Sequence, residues 1–425
     1  MNLESTGVPA ASATSGAIPR QTSVRTAAEP TRPTVGGAAV KLTRLGYLDA
    51  LRGFAVLGVI LVHASQQAPG PVGQVASTQQ FPDLPGAVAT LAAQGRHGVQ
   101  LFFVVSALTL TLSARARFGR ESHPTLDFFV RRFFRIAPMF WLGTLFYAWL
   151  YGFAPRFWAP EGTTPVMVAS TFAFLHGFTP GTIDSVVPGG WSIAVETTFY
   201  VALPLLLLLL TSLTRALWAV CLSVAASVLL GIVATGLLAP YFPGADSYLV
   251  QNFTVLWFPA QLPVFCIGIA LAFLVGRPVE DARARSALAV LGGLAAMVAL
   301  AFGAYTYLTP DVLYALAFAA LVWGLSIVPW RILVNPVTRY LGAVSFSAYL
   351  VQFWVLDEIR PWIVSTGTRG TLRFGLTFAV ATVLTIAAAS VTYRLVEKPG
   401  MALGKRVVER IERSRAPSIA AKSPA

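Results

Sequence analysis

Arg52 and His63 stand eleven residues apart, and every residue between them, Gly53 to Val62, is apolar. On a helix, eleven residues advance about 16 Å and return to within roughly 20° of the starting direction. The two side chains therefore share one stripe, three turns apart. A guanidinium binds anions at any ordinary pH, and a neutral imidazole can take a proton from a hydroxyl near pH 7. The pair suits an anionic group held at one end and a reactive group presented to the histidine at the other. Each residue also has a plain reading. Arg52 can snorkel to lipid headgroups or pair with Asp49 one turn earlier, and His63 can sit in water at an interface.

Two more places carry chemistry. In RRFFRIAP, residues 131–138, Arg132 and Arg135 are three apart and share a helix face, and paired guanidinium groups suit phosphate. The alternative is a cationic anchor at a membrane surface, and for Arg131 that reading is preferred. Glu196, in WSIAVETTFY, lies inside an apolar run, where a carboxylate needs a cation, a proton or a donor. It can orient a histidine, relay protons, or simply pair with Arg or Trp. His97 reads as an ordinary interfacial residue, and His123 and His176 as loop or interface residues. The four histidines have no metal-ligand spacing, so no metal site is expected. Cys221 and Cys266 lie in separate apolar runs and read as buried free thiols.

The elements that must hold these residues are set by composition. Of 425 residues, 56% are hydrophobic and 12% charged, about half the charge of an ordinary soluble domain. Mean hydropathy is +0.68. The net charge of +13 comes in short blocks between apolar runs, which marks membrane orientation rather than nucleic-acid binding. Runs of roughly 17–25 apolar residues predict about ten transmembrane helices, near 46–66, 97–114, 133–153, 191–211, 216–237, 257–275, 287–307, 312–328, 339–359 and 371–392. With the N-terminus placed in the cytoplasm, 25 of the 31 Lys and Arg fall on the cytoplasmic side. Both termini are therefore expected inside, in a multi-pass protein of the cytoplasmic (inner) membrane. The segment 164–178 is too short to span and is expected to lie on the outer side, interfacial or re-entrant. Residues 1–43 read as a disordered cytoplasmic tail, 44–400 as the membrane domain, and 401–425 as a basic cytoplasmic tail with an amphipathic stretch that skims the bilayer.

Taken in order, RGFAVLGVILVH, GVQLFFVVSALTLTL, RRFFRIAPMFWL, WSIAVETTFY, YLGAVSFSAYLVQFWV and VEKP resemble the acyltransferase-3 family of polytopic membrane acyltransferases over about residues 44–400. The resemblance implies an all-α membrane helix bundle. It implies transfer of an acyl group, commonly acetyl from acetyl-CoA as co-substrate, to a hydroxyl of a carbohydrate acceptor, with no permanently bound cofactor. The acceptor classes it implies are envelope or exported glycans and glycosylated small molecules. The family's arginine and histidine of the first span fall on Arg52 and His63, and its RxxR motif on Arg132 and Arg135. Gln100, Ala107 and Gln352 depart from the family's usual acid, glycine and histidine. With the geometry above, Arg52, Arg132 and Arg135 are expected to bind the acyl donor. His63 is expected to act as general base or to carry the acyl group, and Glu196 to orient or relay protons. A secondary transporter or exporter of a glycan-linked substrate is the rival class, though no repeated halves are visible. A sensor or scaffold subunit is a third, which predicts that Arg52 and His63 tolerate substitution.

Overall fold

In the computed structural model, residues 35–67, 79–117, 121–242, 244–303 and 309–413 are described. The chain forms two compact units, 1–41 and 42–425. The first lies almost wholly outside the described residues, and with it most of the tail expected over 1–43. Among the described residues the regular elements are all helical. In chain order they are α1 (Val35–Ala64), α2 (Gly86–Ala93), α3 (Gly98–Arg117), α4 (Pro124–Tyr151), α5 (Pro165–Phe172), α6 (Gly190–Leu209), α7 (Leu213–Leu238) and α8 (Ser247–Leu256). They continue with α9 (Phe258–Leu271), α10 (Ala282–Ala301), α11 (Pro310–Ile327), α12 (Pro336–Ala343), α13 (Ser345–Ser365), α14 (Gly370–Thr392) and α15 (Lys398–Arg413).

Nine helical stretches among the described residues are long and apolar enough to cross a membrane. The expected tenth is α13. It has 21 residues, but any 18 consecutive residues of it include Asp357, Glu358 and Arg360, whereas each of the nine holds 18 consecutive residues with at most two charges. The chain is an all-α polytopic membrane bundle. The expected span at 257–275 instead begins ten residues earlier, as α8 and α9 broken at Trp257. That residue is extended, and Pro259, in the first turn of α9, lacks the N–H that would continue α8. The segment 164–178 holds α5, which is eight residues long. At about 1.5 Å per residue it covers about 12 Å, well short of a bilayer core of about 30 Å.

Lipid offers no hydrophobic drive for helices to associate, so close packing of small residues does that work. A Cβ on Gly95, in the 3₁₀ turn before α3, would run into the backbone of Gly58 on α1. Large apolar side chains such as Leu205, Leu222, Ile232, Leu288 and Val383 point outward, where acyl chains meet them. Cys221 is exposed on such a face while Cys266 is buried, and both are free. Burial was expected of both. Helix α15 packs on α4 instead of skimming freely: a Cβ on Gly404 would press on Phe134, and one on Gly400 on Pro138.

One histidine read as interfacial and one read as a loop or interface residue are buried. His97 is 1% exposed, lies 3.2 Å from Asp311, and stacks on Tyr314 with ring centroids 3.9 Å apart. His176 is 1% exposed, its Nε2 is 3.0 Å from the Gly190 carbonyl, and it stacks on Phe140. Hydropathy placed His97 at the outer end of a span, where Asp311 and Tyr314 of α11 cover it. His176 does lie in the loop between α4 and α6, but it is buried there against Phe140 and Gly190.

Candidate active site

Five spans and α15 enclose a cavity of about 300 Å³ toward the end of the bundle that carries the Arg132 cluster. Arg52 enters it from α1, Arg132 and Arg135 from α4, and Glu196 from α6. Four of the five residues singled out in the sequence therefore meet in one space. Around them the helices present polar stripes on otherwise apolar spans. Ser192, Glu196 and Tyr200 recur every four residues along α6, and Ser106 and Thr109 lie on the facing side of α3. A second cavity, of about 420 Å³, is lined by apolar side chains apart from Gln94 and Tyr314. It offers no comparable chemistry.

Charge in the first cavity is unevenly paired. Arg52 donates to Asp49 at 3.1 Å and to Thr109 Oγ1 at 3.2 Å, so the pairing with Asp49 and a place in the cavity are both realised. Arg135 donates to Glu397, which also accepts from Ser347 Oγ at 2.7 Å. Arg132 has no carboxylate partner among the described residues, and its Nε is buried without a hydrogen bond. Such a group is costly to leave unpaired, which marks it as poised for an anion. Glu196 accepts from Ser106 Oγ at 2.6 Å and from Tyr200 OH at 2.7 Å. Both donors reach Oε1, so the expected role of orienting a histidine has no counterpart in these contacts.

His63 does not line the cavity. It lies three turns along α1, at the opposite end of the bundle. Its Nδ1 is 2.9 Å from Gln66 Oε1. With that oxygen accepting, Nδ1 carries the proton and Nε2 keeps its lone pair, the tautomer a base requires. Between the cavity and the imidazole stand aromatic rings of α13. Tyr349 borders the cavity, Phe353 lies one turn on with centroids 6.4 Å apart, and Phe353 sits 4.7 Å from the His63 ring. Gly189 lets α13 come this close. It holds φ at +75°, and a Cβ there would stand 2.7 Å from the Tyr349 hydroxyl.

The loop 152–189 covers the His63 end. Asp184 caps α6, accepting from the Trp191 N–H at 3.2 Å. Burial pushes its carboxyl up to about 7, against the pull of the backbone N–H groups of Trp191, Gly189 and Gly190 and of Arg156. Burial also pushes His176 down to about 4, so it is neutral near pH 7. Burial lowers the Arg156 guanidinium too; it donates to Thr163 Oγ1 at 2.9 Å and to the Ser185 carbonyl.

Gln66, Ser106, Thr109, Tyr200, Tyr349 and Glu397 escaped the sequence reading. For Tyr200 a signal existed, because it falls one helical turn after Glu196. Glu397 lies 262 residues from Arg135, a distance no local pattern bridges. Of the positions that depart from the family pattern, Gln100 donates to Gln261 Oε1 at 3.2 Å and Gln352 to the Tyr349 carbonyl at 3.3 Å. The first bond joins α3 to α9, and the second stays within α13.

Residues 45–394 match the family described as an acyltransferase domain. No curated protein and no solved structure matches the chain. The match takes in α1 with its arginine and histidine, the α4 arginine pair, and the α6 carboxylate that meets them in the cavity. The chain belongs to the acyltransferase-3 family and is a multi-pass membrane acyltransferase.

Proposed function

We propose that this protein moves an acyl group, acetyl in the simplest case, from acyl-CoA to a hydroxyl of a carbohydrate. The acceptor is an envelope or exported glycan, or a glycosylated small molecule. The observation that carries the reading is the unpaired Arg132 in the cavity that Arg52 also enters, on the helix that bears His63 three turns away. Phosphate and pyrophosphate oxygens of the donor would take up the free donors of Arg132 and Arg52, with Arg135 beside them. The excess of Lys and Arg on this side supports a cytoplasmic donor site, cytoplasmic termini and insertion in the cytoplasmic membrane.

The pantetheine arm runs along α1 toward His63, past Tyr349 and Phe353, whose side chains turn aside to admit it. Nε2 of His63 takes the proton of the acceptor hydroxyl as its oxygen attacks the thioester carbonyl. The tetrahedral intermediate collapses, the C–S bond breaks, and the departing thiolate takes the proton from the imidazolium. Ester and CoA thiol are the products, and the histidine is regenerated. Glu196, held by Ser106 and Tyr200, balances the arginine charge before the donor binds.

The test supplies acyl-labelled acyl-CoA to membranes containing the protein and follows label into glycans and lipids. Transfer by the wild type that is lost in R52A and H63A, at equal protein level, is expected. Transfer that persists in H63A would remove the histidine from the reaction. Absence of transfer from any acyl-CoA, with a broad acceptor pool, would overturn the donor assignment.

A further inference from the structure

Helix ends leave their last carbonyls without intrahelical partners, and α1 ends at Ala64, one residue after His63. The carbonyl of His63 accepts from the Gln66 N–H at 3.3 Å and from Arg360 Nη2 at 2.8 Å. Arg360 belongs to α13 and is only 8% exposed. Its Nη1 donates to Asp357 Oδ1 at 3.0 Å, and its Nε is buried without a partner. The other oxygen of Asp357 accepts from the Tyr151 hydroxyl at 2.6 Å, at the end of α4. A single chain of contacts thus runs from α4 through α13 to the backbone of the residue whose imidazole faces Phe353.

A guanidinium buried in a membrane helix is expensive and calls for a partner or a purpose. Holding α13 to α1 would be served by contact with any carbonyl of the last turn. Here the contact is on His63 itself, and a cation at a helix C-terminus also meets the negative end of the helix dipole. Three contacts bear on this residue: Gln66 on the imidazole Nδ1, the Phe353 ring tilted against the imidazole, and Arg360 on the backbone carbonyl.

We propose that Arg360 is a positioning residue for His63. Its guanidinium, oriented by Asp357 and Tyr151, locks the last turn of α1 so that the imidazole meets the thioester and the acceptor hydroxyl in one fixed orientation. This rests on the reading of His63 as the base. Placement errors of about 1 Å cost on the order of 100-fold in rate, so loss of the lock should show in turnover and not in donor capture, which occurs in the distant arginine cavity.

The experiment compares the full chain in nanodiscs as wild type, R360Q, R360K, D357N, H63Q and the double variant H63Q/R360Q. Transfer of label from acetyl-CoA gives kcat and the donor KM. In parallel, protein labelled with ¹⁵N-histidine reports its four histidines by NMR, with the His63 signal identified by its loss in H63Q. R360Q is expected to lower kcat by about 10- to 100-fold and to leave the donor KM within about twofold. R360K should restore part of the loss, and D357N should show a smaller one. The double variant should be no slower than H63Q, because the lock has nothing left to position. The His63 signal should shift or broaden in R360Q while those of the other three stay in place.

Wild-type kcat in R360Q, an added loss in the double variant, or movement of all four histidine signals would each overturn the proposal. The last would assign Arg360 to the fold alone. H63Q as active as the wild type would instead overturn the reading of His63, and the positioning role with it. That outcome is read with Arg360 intact, so the two failures are distinguishable.

Discussion

Arg135 and Glu397 form an ion pair at the mouth of the polar cavity, joining α4 to the π-helical turn Tyr393–Glu397 that precedes α15. Arg132, one turn earlier on α4, has no such partner among the described residues. The two arginines of one motif therefore have different work, and substitution should separate them.

Arg132→Gln is expected to raise the donor KM by about tenfold or more with little effect on stability, since no hydrogen bond or ion pair to a described residue is lost. Arg135→Gln strands a carboxylate that is 1% exposed, and breaking such a pair costs about 3 kcal/mol. Adding Glu397→Gln should recover most of that loss. Thermal unfolding in detergent and donor titrations on the three proteins check this. Equal effects of Arg132→Gln and Arg135→Gln on both readouts would refute the division.

Glu196 should act on donor affinity through its charge. Its carboxylate shares the cavity with Arg52 and Arg132, so it opposes an incoming phosphate. Glu196→Gln is expected to tighten binding of CoA several-fold and to slow transfer. Tyr200→Phe removes a hydrogen bond to a charged group, worth about 2 kcal/mol of stability. Isothermal titration with CoA decides the first point, and weaker binding by Glu196→Gln would mean that its hydrogen bonds, not its charge, shape the site.

Gln66 fixes the His63 tautomer from outside the helix. His63→Gln should lower transfer by about 100-fold or more, the usual worth of a general base. Gln66→Leu leaves Nδ1 without its acceptor and should cost less, about tenfold. Gln66→Glu, which can still accept, should stay near the wild type. The order of the three in a transfer assay is the check, and Gln66→Leu at the wild-type rate would dismiss the tautomer argument.

Two groups in the loop over the His63 end give stability opposite dependences on pH. The Asp184 carboxyl is raised from an ordinary 3.8 to about 7, so its contribution is complete below pH 3.8 and is lost as pH rises through 7. His176 is lowered from an ordinary 6.5 to about 4, so its contribution is complete above pH 6.5 and is lost as pH falls through 4. In the wild type the two offset one another between those limits. Asp184→Asn should leave the histidine effect alone, giving a protein that loses melting temperature on acidification from 6.5 to 4. His176→Gln should show the reverse slope, with melting temperature falling as pH rises from 4 to 7. Parallel pH profiles for wild type and both variants would contradict these assignments.

What the residues alone determine here follows from local chemistry and from lipid. Spans are legible because about 20 apolar residues in a row have no other stable environment, and the eleven-residue interval between Arg52 and His63 is a property of one helix. The i,i+3 arginines of α4 and the carboxylate of α6 are legible for the same reason: each is unusual on its own element. The family resemblance adds that these elements belong to one enzyme. Hydropathy is blind to what covers a helix end. It therefore took His97 for an interfacial residue, gave no sign that His176 is buried within its loop, and passed over the break at Trp257.

Only the tertiary structure decided which of the charged groups would be satisfied. Arg135 found Glu397, Arg360 found Asp357 and the His63 carbonyl, and Arg132 was left open to the cavity. Asp357 is three residues from Arg360 on α13 and is a local partner, but Glu397 lies 262 residues from Arg135 and the His63 carbonyl 297 from Arg360, on helices brought together by packing, so no spacing rule announces those two. The same packing set Tyr349 and Phe353 between the arginines and the imidazole. A single helix can carry both ends of a reaction path, but the space between those ends belongs to its neighbours.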